Sequence, residues 1–301
     1  MKKTEFERCW IVGAGAIGSV LAAALKLANP IDVHLVGESP HALSVAENGL
    51  TLYTPSKEKR QIDLPVSSLQ SVPGLNGVDL VVLINKLPAM EKIAGVLRSR
   101  LNDKTAVVAL HNGIGVESYM QALLGRSVDR GLVFFGANSP QPGQVTYYSA
   151  SGIRLRDSAV TRAFCNLLHG SLIPCEIPAD FQAMVWKKLI INCVANSLAG
   201  ILNISNKEII RTVLDDAKSA IIDEVRAVAA AEGVELTTTV ADMNRYLDSE
   251  NTPSMVADLN RRQKTEIDFI NGAIVRMAQQ HSIPVPANRL IVSLVKYLEG
   301  R

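Results

Sequence analysis

The sequence predicts an α/β chain with a doubly wound parallel sheet in its N-terminal half and an all-α C-terminal half. Three observations predict it. Short Val-, Ile- and Leu-rich runs alternate with helical spacing as far as His169, a glycine-rich turn joins the first run to the first helix, and beyond residue 177 helical periodicities follow one another with almost no strand-like alternation.

The runs Cys9–Val12, Ile31–Val36, Val78–Ile84, Thr105–Leu110 and Val128–Phe135 are bounded by Gly, Pro or Asn, as suits parallel strands buried on both faces. Between them Ser19–Leu27, Pro88–Leu101 and Gly115–Leu124 carry helical spacing, which makes the repeating unit strand, helix, strand. Gln144–Tyr148 and Gly152–Leu155, set among Pro140, Pro142, Gly143 and Gly152, suggest a small antiparallel extension of the same sheet, and Ser158–His169 a further helix. The two prolines of Ile173–Pro178 mark the best boundary, so we expect domains at 1–176 and 177–301. The second half reads as helices over Phe181–Ile201, Lys207–Glu232, Thr238–Tyr246 and Ser254–Gln280, with Gly233 as a C-terminal helix cap.

A chain of 301 residues exceeds what one core comfortably serves, in keeping with two domains. With 31 basic and 29 acidic residues interleaved along it, no face is marked for nucleic acid or an anionic membrane, and the partner expected is a small molecule. Cys9, Cys165, Cys175 and Cys193 show no C-x-x-C pair, so neither disulfides nor a metal site is expected. The N-terminal MKKTEFERCW lacks the apolar core of a signal peptide. Leu189–Leu202 is too short to span a bilayer and contains Asn192 and Asn196, so it reads as a buried helix. A soluble protein of the reducing cytoplasm is the expectation.

The turn Gly13-Ala14-Gly15-Ala16-Ile17-Gly18 is a G-x-G-x-x-G placed after a strand and at the opening of an alanine-rich helix. Gly13 permits the tight turn, Gly15 lets backbone N–H groups approach a pyrophosphate, and Gly18 lets the helix lie close on the sheet. The unpaired N–H groups of the helix start then face the phosphates, so this half is expected to bind a dinucleotide in a Rossmann-type domain. At the end of the second strand stands Val36-Gly37-Glu38-Ser39. Glu38 would repel a 2′-phosphate and accept hydrogen bonds from a plain ribose, which leans towards NAD; its other reading is a solvated loop carboxylate.

In the second half, Trp186-Lys-Lys188-Leu-Ile-Ile-Asn192-Cys-Val-Ala-Asn196 repeats a polar side chain every fourth residue among apolar neighbours. Such spacing stacks Lys188, Asn192 and Asn196 along one side, where they either bond neighbouring backbone or line a polar site. Lys187 lies about 100° away around the helix and is the solvated lysine of the pair.

Together with His111-Asn112-Gly113, Ser254-Met-Val-Ala-Asp258 and Thr265-Glu266-Ile-Asp268-Phe-Ile-Asn271-Gly272, these motifs resemble the ketopantoate reductase (2-dehydropantoate 2-reductase) family in order and along nearly the whole chain. The resemblance implies a Rossmann domain followed by a helical domain of the 6-phosphogluconate dehydrogenase C-terminal kind, with NADPH and a branched 2-keto acid meeting between them. Carried over, Lys188 is the general acid and Glu266 anchors the substrate hydroxyl. Asn192 and Asn196 line the substrate pocket, Ser254 holds its carboxylate, Asn112 sits beside the nicotinamide and helps position Lys188, and Lys86 lies along the cofactor.

The chemistry suits these residue types, because hydride addition to a 2-keto carbon builds charge on the carbonyl oxygen that an ammonium can stabilise and then protonate. From the residues alone Ser254 is also a helix N-cap, Glu266 an exposed helical charge, Asn112 a turn residue and Lys86 a solvated strand-end charge. Three departures loosen the match: Glu38 where the family commonly has arginine, Ala89 where it commonly has glutamine, and Phe134–Pro140 in place of a threonine- and histidine-containing loop. They leave NAD against NADP open, and with it a paralogous reductase of another 2-keto acid or a dinucleotide sensor without turnover. The oligomeric state is open as well, a homodimer being one candidate.

Overall fold

The computed structural model describes residues 5–71, 77–148, 151–247 and 252–300. Residues 1–4 of the N-terminal reading and Asn251, just before the Ser254 motif, lie outside them. The chain divides into two compact units, Met1–His111 with Glu117–Phe181, and Asn112–Val116 with Gln182–Arg301. The border thus falls at Phe181 instead of after residue 176, and the short segment after His111 goes with the helical unit.

In the first unit the strands are β1 (Arg8–Val12), β2 (Asp32–Val36), β3 (Leu50–Tyr53), β4 (Lys59–Ile62), β5 (Val66–Ser67), β6 (Leu80–Leu83), β7 (Ala106–Ala109), β8 (Asp129–Val133), β9 (Ala137–Asn138), β10 (Gln144–Tyr147), β11 (Ile153–Leu155) and β12 (Cys175–Glu176). The helices are α1 (Ala16–Ala28), α2 (Pro40–Asn48), α3 (Met90–Arg98), α4 (Val116–Leu124) and α5 (Ala159–Leu168). One eight-stranded sheet runs β12-β11-β8-β7-β6-β1-β2-β5. Its parallel part, β5-β2-β1-β6-β7-β8, has the 3-2-1-4-5-6 order of the dinucleotide-binding sheets, with the direction of winding reversing between β1 and β6.

The expected antiparallel extension is half right. β11 pairs antiparallel with β8 and continues the main sheet, whereas β10 joins a separate four-stranded sheet, β4-β3-β10-β9. α1 packs against β1 and β2 of the main sheet and against β3, β9 and β10 of the small one. Every residue from Gly18 to Leu25 is therefore buried, and a helix hidden all round needs the small alanines at 22–24. β12 occupies the proline-rich run that the sequence suggested as a boundary and pairs with β11.

The second unit holds α6 (Phe181–Leu202), α7 (Asn206–Ile209), α8 (Asp215–Ala231), α9 (Val240–Leu247), α10 (Ser254–Asn260), α11 (Asn271–Gln280) and α12 (Pro286–Glu299). Two expected long helices are broken. The stretch 207–232 splits because Lys218, fully buried on α8, sends its Nζ to the Ile209 carbonyl (3.1 Å), the Asn244 amide oxygen (2.7 Å) and the Asp215 carboxylate (2.7 Å). A buried ammonium is tolerable only when so surrounded, and the partners come from three helices. The stretch 254–280 breaks where Arg262 takes a positive φ of 54° and the Thr265 N–H and hydroxyl both donate to Glu299 of α12 (2.7 and 2.6 Å). Gly233 does cap α8, at φ 78°, with Val234 N–H bonded to the Ala229 carbonyl and Gly233 N–H to that of Ala230.

α6 is the core helix of this unit. Among the described residues it alone is long and apolar enough to cross a membrane, and 78% of its apolar window is buried inside the protein. A chain of amides fixes it in place. The fully buried Asn271 donates to the Cys193 carbonyl of α6 (3.1 Å) and to Asn288 Oδ1 (2.9 Å), while Asn288 donates in turn to the Glu224 carboxylate of α8 (2.8 Å). Glu224 also accepts from the backbone N–H groups of Ala287 and Asn288 (2.7 and 2.8 Å), a carboxylate at the positive start of α12.

Candidate active site

Within the first unit the glycine turn sits at the carboxyl end of β1, next to the strand where the winding reverses. Gly13 has φ 128°, and a Cβ there would stand 2.6 Å from the Asn85 nitrogen just after β6. At Gly18 a Cβ would be driven into the Gly13 carbonyl, so this glycine lets α1 start against the turn. Gly15, the N-cap of α1, has open space where its side chain would be. Ser19 N–H makes the first helical bond, to Gly15 O at 2.9 Å, which leaves the N–H groups of Ala16, Ile17 and Gly18 as the orphan donors of the helix start. Ala14 is buried against Gly37, where even a methyl group would collide with it. A narrow turn with open space over Gly15 and unpaired N–H groups fits a pyrophosphate.

Around that turn, Glu38 is exposed on the loop between β2 and α2, and Lys86 is exposed at the end of β6. Asn85 has its side-chain oxygen buried without a hydrogen-bond partner, a polar atom left over at the carboxyl edge of the sheet. His111, at the end of β7, is buried with neither ring nitrogen in a well-formed hydrogen bond. Burial and then the charge of Arg130 push its pKa down to about 3, with Lys86 adding the least and the Asn85 backbone pulling the other way.

His111 therefore stays neutral in the folded protein while its unfolded counterpart titrates near 6.5. Below that pH the unfolded chain binds the extra proton, so stability is full above pH 6.5 and falls as the pH drops towards 3, with a slope of up to about 1.4 kcal/mol per pH unit. His111→Gln should flatten this part of the profile. Urea midpoints of both proteins from pH 4 to 8 check it, and parallel curves would show that His111 is not the group responsible.

Within the second unit α6 brings Lys188, Asn192 and Asn196 along one side, each offset about 40° from the last. Lys188 is half-buried, Asn196 buried, and Asn192 carries a buried amide nitrogen without a hydrogen-bond partner, while Lys187 is exposed. The row is thus a polar stripe on the core helix. Glu266 is not an exposed helical charge. It is buried, 7% exposed, just before a 3-10 turn at Ile267–Phe269. It accepts a hydrogen bond from Asn112 Nδ2 at 3.4 Å, so Asn112 does more than close a turn.

The segment carrying Asn112 is held by the same turn. Ile114 N–H donates to the Phe269 carbonyl at 3.0 Å, and Gly113, at φ 92°, lies so close to that carbonyl that no side chain would fit. Ser254 is exposed at the first helical position of α10; the cap is Pro253, and no side-chain capping bond is made. Its expected N-cap role is thereby corrected.

Comparison with known proteins extends these observations. The model of the family described as "Ketopantoate reductase PanE/ApbA" matches residues 9–157, and that of its C-terminal domain matches residues 180–299. The chain belongs to the ketopantoate reductase family. It is similar to the 2-dehydropantoate 2-reductase of Archaeoglobus fulgidus, 29% identical over 98% of each chain. A ketopantoate reductase family structure from Ralstonia eutropha superposes with TM-score 0.88 at 28% identity over 97% of this chain and 98% of that one. The ternary structure of D-mandelate dehydrogenase with NADH and anilino(oxo)acetate does so with TM-score 0.87 at 26% identity, over the same shares. Ketopantoate reductases are oxidoreductases, and the Rossmann-type sheet of the first unit and the helical second unit are their architecture.

Proposed function

We propose that this member of the ketopantoate reductase family reduces 2-dehydropantoate to pantoate with hydride from a nicotinamide dinucleotide, with Lys188 as general acid. The observation that carries the reading is the polar stripe on α6, Lys188 half-buried beside a partnerless amide of Asn192, in a chain that the two family models cover almost end to end. When bound, the dihydronicotinamide supplies the hydride. Lys188 hydrogen-bonds the keto oxygen, stabilises the charge that grows there and passes its Nζ proton to that oxygen. Asn192 and Asn196 orient the substrate from the same side of the helix. Glu266, held by Asn112, accepts from the substrate hydroxyl, and the Ser254 hydroxyl donates to its carboxylate. Gly13 to Gly18 carry the pyrophosphate, with Lys86 alongside.

The test is purified protein with NADH or NADPH and a panel of 2-keto acids, 2-dehydropantoate and aryl-substituted ones among them, following loss of absorbance at the reduced nicotinamide band. Turnover highest on 2-dehydropantoate supports the proposal; turnover only on an aryl 2-keto acid replaces it with a paralogous reductase, which the likeness to D-mandelate dehydrogenase makes worth including. Tight dinucleotide binding without any turnover would point to a sensor.

For the cofactor, Glu38 supports NADH. An exposed carboxylate at the end of β2 can accept from both ribose hydroxyls and repels a 2′-phosphate. Glu38→Arg should shift the ratio of affinities towards NADPH by about tenfold, a typical size for exchanging repulsion for an ion pair at one partly exposed site. Fluorescence titrations with both dinucleotides measure it, and an unchanged ratio would mean that Glu38 points away from the ribose. The protein is proposed to work in the cytoplasm, and to be free to form a homodimer.

A further inference from the structure

His41 belongs to none of the motifs above. It lies in the first turn of α2, 8% exposed, and its ring connects three pieces of the first unit. Nε2 is 3.0 Å from the hydroxyl of Ser19, which is fully buried in the first turn of α1. Nδ1 is 3.0 Å from the Ser139 hydroxyl and accepts the Gly143 N–H at 3.2 Å, both from the turn between β9 and β10.

The tautomer follows from these contacts. A backbone N–H can only donate, so Nδ1 carries the lone pair, the proton sits on Nε2, and Nε2–H donates to Ser19 Oγ. Burial lowers the pKa of the ring, which keeps it in this neutral form. The Ser139 hydroxyl has the Gln141 carbonyl at 3.0 Å as its alternative acceptor. No other hydrogen bond from another element reaches the Ser19 side chain in the described residues, so the imidazole is what ties this residue to α2 and the small sheet.

We infer that His41 is a positioning residue for the dinucleotide. By holding Ser19 it fixes the first turn of α1, whose orphan N–H groups at 16–18 must already point at the pyrophosphate if binding is not to spend energy on ordering them. The start of α2 is held to the glycine turn a second time, by Ser39 Oγ donating to the Ala14 carbonyl at 3.4 Å. The inference rests on the dinucleotide-binding reading of the glycine turn and not on the choice of 2-keto acid.

The test is NADH and NADPH binding by fluorescence titration of the full chain carrying His41→Leu, His41→Gln, Ser19→Ala, or His41→Leu with Ser19→Ala. Leucine keeps apolar volume and loses all three polar contacts of the ring, while glutamine keeps one donor and one acceptor. We expect His41→Leu to weaken dinucleotide binding about tenfold, equivalent to about 1.4 kcal/mol, the net worth of one or two hydrogen bonds. The KM for the 2-keto acid and kcat at saturating dinucleotide should stay at wild-type values. His41→Gln should restore affinity, Ser19→Ala should weaken it, and the double variant should be no weaker than His41→Leu alone.

Wild-type affinity in His41→Leu, or full additivity in the double variant, would overturn the inference. Should His41→Leu fail to fold, the pair Ser19→Ala and His41→Gln decides it: the first must bind weakly and the second must not. A wild-type chain that binds neither dinucleotide would instead overturn the reading of the glycine turn itself.

Discussion

Lys188→Ala should lower kcat by about 10²- to 10⁴-fold, the range a positioned proton donor supplies, while the affinity for the dinucleotide stays as it is. The residue is half-buried on the core helix of the unit, four residues before Asn192 and on the same side. Removing its ammonium takes away the group that stabilises the growing charge on the keto oxygen and the proton that ends on it, and both losses fall on the transition state. Lys187 is the control. It is exposed and turned about 100° away on the helix, so Lys187→Ala should leave kcat alone. Lys188→Arg should not restore activity, because a guanidinium holds its proton too tightly to give it up. Steady-state kinetics at saturating cofactor, with a separate titration of cofactor binding, check all three. A wild-type kcat in Lys188→Ala would end the assignment.

Gly113→Ala should destabilise the protein by about 3 kcal/mol, from backbone strain at a positive φ of roughly 1–3 kcal/mol and the loss of a hydrogen bond worth about 1 kcal/mol. The methyl group would run into the Phe269 carbonyl, which accepts from Ile114 N–H. The same displacement would carry Asn112 away from Glu266, so kcat should fall together with stability. Gly115 separates the two causes: it too has a positive φ, 79°, but open space around its missing Cβ. Gly115→Ala should therefore show the strain alone. Urea unfolding of both variants measures the difference, and equal losses would mean that the contact with Phe269 carries no weight.

The parts of the fold that depend on local pattern were legible from the residues. β1, β2, β6, β7 and β8 are apolar runs closed by turn residues, and they pair in the order that the strand-helix-strand alternation implies. Several elements that escaped have weak local signals, although β3, which alternates in burial, and α12, which opens on a proline, escaped as well. β4, Lys59–Ile62, is a polar edge strand with one buried side chain, and β5, β9 and β12 are two residues each, formed by what they lie beside. α2 escaped although its start carries a signal, Ser39-Pro40, a cap followed by a proline at the first helical position. Reading that signal would have drawn attention to His41.

In the candidate site the division is similar. The row Lys188, Asn192 and Asn196 is a consequence of helical period alone, and the three glycines at 13, 15 and 18 follow from a turn between strand and helix. Sequence could also separate Lys187 from Lys188, since one residue along a helix is a fixed rotation. What it could not decide was the fate of residues in irregular backbone. Glu266 fits an exposed helix until Thr265 is taken by Glu299 and the chain is turned inward, and Asn112 is a turn residue until the 267–269 turn captures Ile114. Periodicity fixes a side chain only relative to its own helix or strand. Where two stretches 154 residues apart share a hydrogen bond, the partner is chosen by the packing of the whole unit, and no local pattern records it.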